Sequence, residues 1–112
     1  MQLKDIHTIY FVGIGGIGMS ALARYFNGRG VEVHGYDRTS TPLTQQLERE
    51  GMHIHYHEAP DLIPEGVDLV VYTPAVPKQH QELQFFWNNN YPVKKRAEVL
   101  GIISRDMKTI AI

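Results

Sequence analysis

The chain contains no cysteine, which excludes disulfide bonds, thiolate metal ligands and thiol nucleophiles from any account of its stability or chemistry. It also has no apolar run near the ~20 residues that a membrane-spanning helix needs. Its first five residues do not open a signal peptide. We therefore expect a cytoplasmic protein with no membrane partner.

Neither sign of charge is in excess, because eleven basic residues face twelve acidic ones and the net charge is −1. A protein that binds nucleic acid by broad neutralisation of phosphates needs a basic surplus, so no nucleic-acid partner is expected. The 112 residues are 43% apolar and 21% charged. This length and composition indicate one globular domain.

The most informative segment is a glycine loop at residues 13–18, in which Gly13, Gly15 and Gly18 form G-x-G-x-x-G. It follows an apolar strand and precedes an apolar helix, the context in which this motif binds the diphosphate of a nucleotide. Gly13 allows a tight turn, Gly15 allows the backbone to approach a diphosphate, and Gly18 allows the helix to pack close to the strand. The N–H groups at the start of the helix then point at the ligand.

Strand and helix patterns alternate along the chain, which is typical of a parallel α/β sheet. We predict a Rossmann-like, doubly wound α/β fold of about five strands in the order 3-2-1-4-5. The strands are predicted at residues 8–12, 31–36, 52–56, 67–72 and 91–93, with helices after the first, second, fourth and fifth. The first helix is expected to bury a stripe of Ile17, Ala21, Leu22, Tyr25 and Phe26, and the last, at residues 97–103, to bury Val99, Leu100 and Ile103.

Asp37 follows the second strand, nineteen positions after Gly18. An acidic residue at this place binds ribose hydroxyls in nucleotide-binding βαβ units, so we predict that role here. The alternative is a surface aspartate that starts a turn. Arg38 raises the possibility of a 2′-phosphate and hence of NADP.

The loop after the fourth strand is the second candidate binding segment. Strands one and four flank the point where the sheet order reverses, and their outgoing loops diverge there to leave a crevice. A base could pack on Ala75, Val76 and the Pro77 ring, with a hydroxyl offered by Thr73 next to Pro74. A rigid turn that ends the strand is the alternative.

Three alternating histidines, His53, His55 and His57, would point to one face of a strand. They suggest a metal site, but no carboxylate or thiol is clearly spaced to complete it, so no metal is predicted. A half-exposed edge strand explains the pattern better. His57, at the end of this strand, could contact a ligand.

The remaining motifs carry no chemistry of their own. The basic run at residues 94–96 is interpreted as a solvated corner between a strand and a helix. The chain has no triad, no Walker A lysine loop and no convergent pair of carboxylates, so no catalytic residue is predicted. The apolar run at residues 107–112 is predicted to begin a strand of a further domain, which leaves residues 1–106 as the binding domain; the resemblance described next implies that this further domain is a central ATPase domain.

Four segments together resemble the N-terminal domain of the Mur ligase family. They are residues 11–20 (FVGIGGIGMS), 35–37 (GYD), 73–76 (TPAV) and 96–100 (RAEVL). The resemblance covers essentially the whole chain and keeps the order and spacing of all four segments. It implies a domain that binds the UDP moiety of UDP-N-acetylmuramic acid.

The resemblance also implies roles for individual residues. The diphosphate would be held by residues 15–18 and the ribose by Asp37, while residues 73–76 would line the uridine side. His57 takes a position where alanine-adding members also have histidine, and Pro74 departs from the serine that members often carry. The full set of predicted substrate-binding residues is Gly13, Gly15, Gly16, Ile17, Gly18, Asp37, Arg38, His57, Thr73, Pro74, Ala75 and Val76.

In such a ligase, ATP and Mg²⁺ serve to phosphorylate the muramyl carboxylate, and an alanine amine then attacks the acyl phosphate. The resemblance therefore implies that the central and C-terminal domains of the full-length enzyme supply the chemistry. The present chain would hold no cofactor and be inactive alone. The alternatives are the related ligase that recycles a preformed peptide, and an NAD(P)-binding domain of an oxidoreductase or nucleotide sensor.

Overall fold

The fold is a five-stranded parallel sheet in the order β3-β2-β1-β4-β5, which confirms the predicted topology. The structure, a computed structural model, describes the backbone of residues 2–110 and the side chains of residues 2–105. The strands are β1 (Thr8–Val12), β2 (Glu32–Tyr36), β3 (His53–His55), β4 (Leu69–Tyr72) and β5 (Val93–Lys95). The helices are α1 (Ile17–Gly28), α2 (Pro42–Arg49), α3 (Gln81–Asn88) and α4 (Arg96–Ile110), with short 3₁₀ turns at Leu3–Asp5 and Pro60–Leu62.

The central strand β1 is buried on both sides of the sheet, as its continuous apolar sequence predicts. Ile9 and Phe11 belong to a core cluster that includes residues of α1, α2 and α4, whereas Tyr10 and Val12 belong to a second cluster with residues of α3. Helices therefore cover both faces. No helix among the described residues is long and apolar enough to cross a membrane.

Turn chemistry explains where the elements begin and end. The hydroxyl of Thr41 accepts the backbone N–H of Thr44 and the Thr44 hydroxyl accepts that of Thr41, a capping box that begins α2 directly before Pro42. Strand β5 begins one residue after Pro92, which has no N–H to donate, and it pairs with β4 from Val93 onward.

Several predictions about the helices are wrong. Ile17 is 88% exposed, and Ala21 is exposed too; the buried side of α1 instead carries Met19, Ala23 and the expected Leu22 and Phe26. The first turn of α1 faces the end of the sheet rather than its surface, so the apolar stripe begins only at the third helical residue.

The last helix also differs from its prediction. Val99 and Ile103 are buried as predicted, but Leu100 is 42% exposed and Ile102 is buried in its place. Helix α4 continues through Ile110, so the strand predicted from residue 107 is helical up to that point, and residues 111–112 lie outside the described part. A helix pairs its backbone groups within itself, whereas a strand requires a neighbouring strand. The domain border predicted after residue 106 stays a prediction.

Gly35, in the middle of β2, provides a test of this packing. A Cβ added there would lie 2.8 Å from Cδ1 of Ile14 and 2.9 Å from the backbone oxygen of Phe11. We expect Gly35→Ala to lower the free energy of unfolding by about 1–3 kcal/mol, because an overpacked core must shift. Urea denaturation measures this change.

The matched control is Gly28→Ala, because a Cβ at Gly28 would meet nothing within 4 Å. Gly28 ends α1, and alanine is the better helix former, so we expect stability to stay the same or rise by up to about 1 kcal/mol. Equal stability losses for the two variants would contradict the packing described for Gly35.

Candidate functional site

A cleft of about 620 Å³ lies at the carboxyl ends of β1, β2 and β4, where the loops of the sheet diverge. The glycine loop and the loop after β4 meet in it, as the topology predicted. Its lining residues are Gly13, Gly16, Gly18, Met19, Tyr36, Asp37, Arg38, Thr39, Glu58, Thr73, Ala75, Val76, Pro77, Gln79, His80 and Arg96.

The glycine loop is tied to the end of β2 by its own backbone. The N–H groups of Gly13 and Ile14 both donate to the carbonyl of Tyr36, at 2.8 and 2.9 Å. Gly13 has φ +93°, a conformation that favours glycine, and a Cβ there would lie 3.3 Å from Cγ2 of Val76. The loop therefore turns sharply between β2 and the loop after β4.

Gly15 is required for a reason that differs from the one predicted. Its N–H donates to Oδ1 of Asp37 at 3.0 Å. A Cβ at Gly15 would lie 2.9 Å from both Cγ of Asp37 and Cγ2 of Thr44. The space beside Gly15 is thus filled by the protein itself, and Gly15 does not line the cleft. The small residue permits the loop to approach the Asp37 carboxylate.

The first free backbone donors of the loop are those at the start of α1. Gly16, the N-cap residue, has no side chain to cap the helix. Among the described residues, no hydrogen-bond acceptor contacts the N–H groups of Ile17, Gly18 and Met19. An uncapped helix N-terminus combines free donors with the positive end of the helix dipole, which together favour an anion.

Arg96 places a formal positive charge beside these donors. A Cβ at Gly18 would lie 3.0 Å from Cζ, Nε and Nη1 of Arg96, so the guanidinium packs directly against the first turn of α1. Arg96 forms no salt bridge with any described residue. The basic run does lie at a corner between a strand and a helix, since β5 ends at Lys95 and α4 begins at Arg96, but the half-buried Arg96 also lines the cleft. The only sequence feature that pointed to Arg96 was its position in the RAEVL segment. The charge pattern of the chain does not indicate that Arg96 contacts Gly18.

The other end of the cleft is formed by β2, the segment after β3 and the start of α3. Tyr36, Glu58 and His80 line it, and the Tyr36 and His80 rings meet at a centroid distance of 4.6 Å. Oε1 of Glu58 accepts the N–H of Gln81 at 2.7 Å, which joins the segment after β3 to the first turn of α3. Burial, together with the negative charges of Glu58 and Glu82, raises the pKa of Tyr36, so this tyrosine stays protonated.

A buried carboxylate, Glu82, holds this end of the cleft together. It is fully buried and accepts hydrogen bonds from the Tyr10 hydroxyl, from Nε2 of His55 at 2.6 Å and from the N–H of Ala59 at 2.9 Å. Burial, followed by the Glu82 charge, raises the pKa of Tyr10 and keeps its hydroxyl as a donor. One side chain thus links β1, β3 and α3.

The cleft contains most but not all of the predicted binding residues. Gly13, Gly16, Gly18, Asp37, Arg38, Thr73, Ala75 and Val76 line it, while Gly15, Ile17, His57 and Pro74 do not. His57 is exposed after the end of β3, with its ring 6.0 Å from that of His55. The sequence reasoning did not assign Tyr36, Glu58, Gln79, His80 and Arg96 to the site, although all of them line the cleft.

The three alternating histidines have separate surroundings. His53 stacks on His34 at 4.6 Å between ring centroids, and His55 bonds to Glu82. Within the described part of the chain, no three His, Cys, Asp or Glu side chains are grouped in a way that could hold a metal ion.

The hydrogen bonds of Glu82 yield a prediction about stability. Glu82→Ala leaves the Ala59 N–H and the Tyr10 hydroxyl without their acceptor in the core, so we expect the free energy of unfolding to fall by about 3–5 kcal/mol. Chemical denaturation checks the value. Glu65→Ala, at an exposed glutamate, is the control and should change stability little. A loss below about 1 kcal/mol for Glu82→Ala would show that the network contributes little.

Comparisons with known proteins agree with the fold. Residues 8–108 match the family model described as Mur ligase family, catalytic domain. A UDP-N-acetylmuramate–L-alanine ligase from Flavobacterium psychrophilum is 53% identical over 116 residues, which cover all of this chain and 26% of that protein.

Two solved structures share the fold. The UDP-N-acetylmuramate–alanine ligase of Thermotoga maritima matches with a TM-score of 0.81 and 33% identity over 88% of this chain and 23% of that one. The UDP-N-acetylmuramate:L-alanyl-γ-D-glutamyl-meso-diaminopimelate ligase of Neisseria meningitides matches with a TM-score of 0.73 and 25% identity, covering 81% of this chain and 29% of that one.

The chain spans about a quarter of the length of the curated relatives it matches. The family match nevertheless covers most of its residues and includes every strand of the sheet. It also includes the glycine loop and Arg96, which form one end of the cleft. On this evidence the chain belongs to the Mur ligase family.

Proposed function

We propose that this domain binds the UDP moiety of UDP-N-acetylmuramic acid, as part of a UDP-N-acetylmuramate–L-alanine ligase that acts in peptidoglycan precursor synthesis. The observation that carries the proposal is the pairing of an uncapped helix N-terminus with the guanidinium of Arg96. Donors and positive charge meet there, and the guanidinium forms no salt bridge with any described residue.

A diphosphate is the ligand whose chemistry fits this end of the cleft. The N–H groups of Ile17, Gly18 and Met19 would donate to phosphate oxygens, and Arg96 would add charge-assisted hydrogen bonds. Gly15 contributes indirectly, because its N–H is already bonded to Asp37. The net negative charge of the chain does not oppose diphosphate binding, because the attraction comes from the nearby N–H groups and the Arg96 guanidinium.

The nucleoside would extend from the diphosphate along the rest of the cleft. Asp37 would accept from the ribose hydroxyls, since its carboxylate is held at the end of β2 by the N–H groups of Gly15 and Thr39. Thr73, Ala75 and Val76 would pack against the uridine from the loop after β4. His57 and Pro74 lie outside the lining and would contact the ligand only after the neighbouring loops move.

The ligation reaction would need domains in addition to the one that this chain forms. In the proposed full-length enzyme, ATP and Mg²⁺ activate the muramyl carboxylate and the L-alanine amine displaces the phosphate. Central and C-terminal domains, which the relatives' greater length allows for, would supply those groups. The role of the present residues is to hold the UDP moiety in place.

Two other candidates rest on specific observations. The likeness to the Neisseria peptide ligase favours a member that attaches a preformed peptide to the same sugar nucleotide. The glycine loop followed by Asp37 also fits NAD. NADP fits less well, because Asp37 and Glu58 both line the cleft near Arg38 and would repel a 2′-phosphate.

Calorimetric titration of the chain with UDP-N-acetylmuramic acid, UDP, NAD and NADP tests the proposal. We expect both uridine nucleotides to bind more tightly than either nicotinamide nucleotide. Arg96→Gln should weaken UDP binding by roughly 10- to 100-fold, because it removes charge-assisted hydrogen bonds. Arg49→Gln, on the exposed side of α2, is the control and should bind as the unmodified chain does.

Tighter binding of NAD or NADP than of UDP would overturn the proposal, and an unchanged UDP affinity in Arg96→Gln would remove Arg96 from the site. The two ligase candidates separate in a full-length enzyme supplied with ATP and Mg²⁺. Ligation of L-alanine supports the first, and ligation of the preformed peptide alone supports the second.

A further expected result is that the isolated chain releases no phosphate from ATP above background. It has no G-x-x-x-x-G-K-[ST] segment to hold the triphosphate. A phosphate-release assay with Mg²⁺ and ATP measures this, with and without UDP-N-acetylmuramic acid. Sustained ATP hydrolysis that persists after repurification would contradict the proposal that other domains bind and use ATP.

A further inference from the structure

His80 is a buried histidine that both begins a helix and lines the cleft. It is 6% exposed and occupies the N-cap position of α3. Its Nδ1 accepts the backbone N–H of Glu82 at 3.2 Å. Capping is usually done by serine, threonine, aspartate or asparagine, so the imidazole at this position provides a second ring nitrogen that capping does not need.

The hydrogen bond at Nδ1 determines where the proton of the neutral ring lies. A nitrogen that accepts a hydrogen bond carries no proton, so in neutral His80 the proton is on Nε2. Nε2 is buried, and no partner for it exists among the described residues. Buried donors in folded proteins are almost always satisfied, and His80 lines the cleft, so a ligand in the cleft is the candidate source of the missing acceptor.

The position of His80 narrows the class of acceptor. It lines the cleft together with Tyr36 and Glu58, and its ring meets that of Tyr36 at a centroid distance of 4.6 Å. If the proposed diphosphate binds at the helix N-terminus beside Arg96, the base of the nucleotide would extend to these residues. The wall there presents a donor, His80 Nε2, next to an acceptor, the Glu58 carboxylate, whose Oε1 is 3.9 Å from Nδ1 of the same ring.

This donor–acceptor order matches the edge of uracil, on which the O4 carbonyl accepts and the adjacent N3–H donates. Cytosine presents the reverse order at the same positions, an amino group and an unprotonated ring nitrogen. We propose that His80 is the base-recognising residue of this domain, whose Nε2–H donates a hydrogen bond to the O4 carbonyl of uracil. This inference rests on the proposed function, because it assumes a uridine nucleotide in the cleft.

Two substitutions separate the capping role of His80 from its binding role. His80→Asn places an amide oxygen where Nδ1 was, which retains the cap, but it has no group at the position of Nε2. His80→Gln extends a donor to the position of Nε2 and loses the cap. The two variants should therefore affect stability and base recognition in opposite ways.

The experiment measures UDP, CDP and inorganic pyrophosphate binding by calorimetry, with urea denaturation of each variant. For the unmodified chain we expect tighter binding of UDP than of CDP. His80→Asn should lower UDP affinity about tenfold and remove the preference over CDP, with pyrophosphate affinity and stability unchanged. His80→Gln should retain much of the preference for UDP while its urea midpoint falls.

Other outcomes overturn the inference in distinguishable ways. Unchanged UDP affinity and preference in His80→Asn would show that Nε2 is satisfied within the protein, for example against the Tyr36 ring. An equal loss of UDP and pyrophosphate affinity would show that His80 acts on the shape of the loop rather than on the base. Failure of the unmodified chain to bind UDP would overturn the proposed function and this inference together.

Discussion

The cleft depends on three backbone hydrogen bonds that join the glycine loop to the end of β2. Gly13 and Ile14 donate to the Tyr36 carbonyl, and Gly15 donates to the Asp37 carboxylate. Together with the bond from the Gly16 N–H to the Gly13 carbonyl, they use the donors of residues 13–16, so the first N–H groups without an acceptor among the described residues are those of α1. The loop is thereby held rigid, and the helix N-terminus is left as the group that an anion can reach.

The charges that matter for binding are concentrated in the cleft, whereas the net charge of the chain is small. The net charge is only −1, yet one part of the cleft combines a helix N-terminus with Arg96, the Asp37 carboxylate lies beside the glycine loop, and a second part carries Glu58. A ligand with a diphosphate at one end and hydroxyls or ring N–H groups at the other complements both. The buried Glu82 network maintains the second end, because it links the segment that carries Glu58 to the helix that begins after His80.

The order of strands and the meeting of the two loops could be predicted because they follow from local patterns and from general rules of α/β topology. The position of Arg96 could not be predicted, because Arg96 and Gly18 are far apart in the sequence and their contact depends on where α4 begins. The burial of Ile17 was predicted wrongly since periodicity does not reveal that the first turn of α1 extends past the sheet. The helix over residues 107–110 was missed because an apolar, β-branched run fits either structure until its neighbours are known.

The sequence by itself determined the α/β class, the glycine loop with its following aspartate, and the likeness to the Mur ligases, because each is encoded in contiguous residues and short spacings. Only the tertiary structure decided that Gly13, Gly16 and Gly18 line the cleft, whereas Gly15 packs against other residues of the protein. It alone brought Arg96 to the helix N-terminus and left Nε2 of His80 without a partner among the described residues. Those features depend on atoms from distant segments meeting within a few ångströms, which no spacing along the chain records.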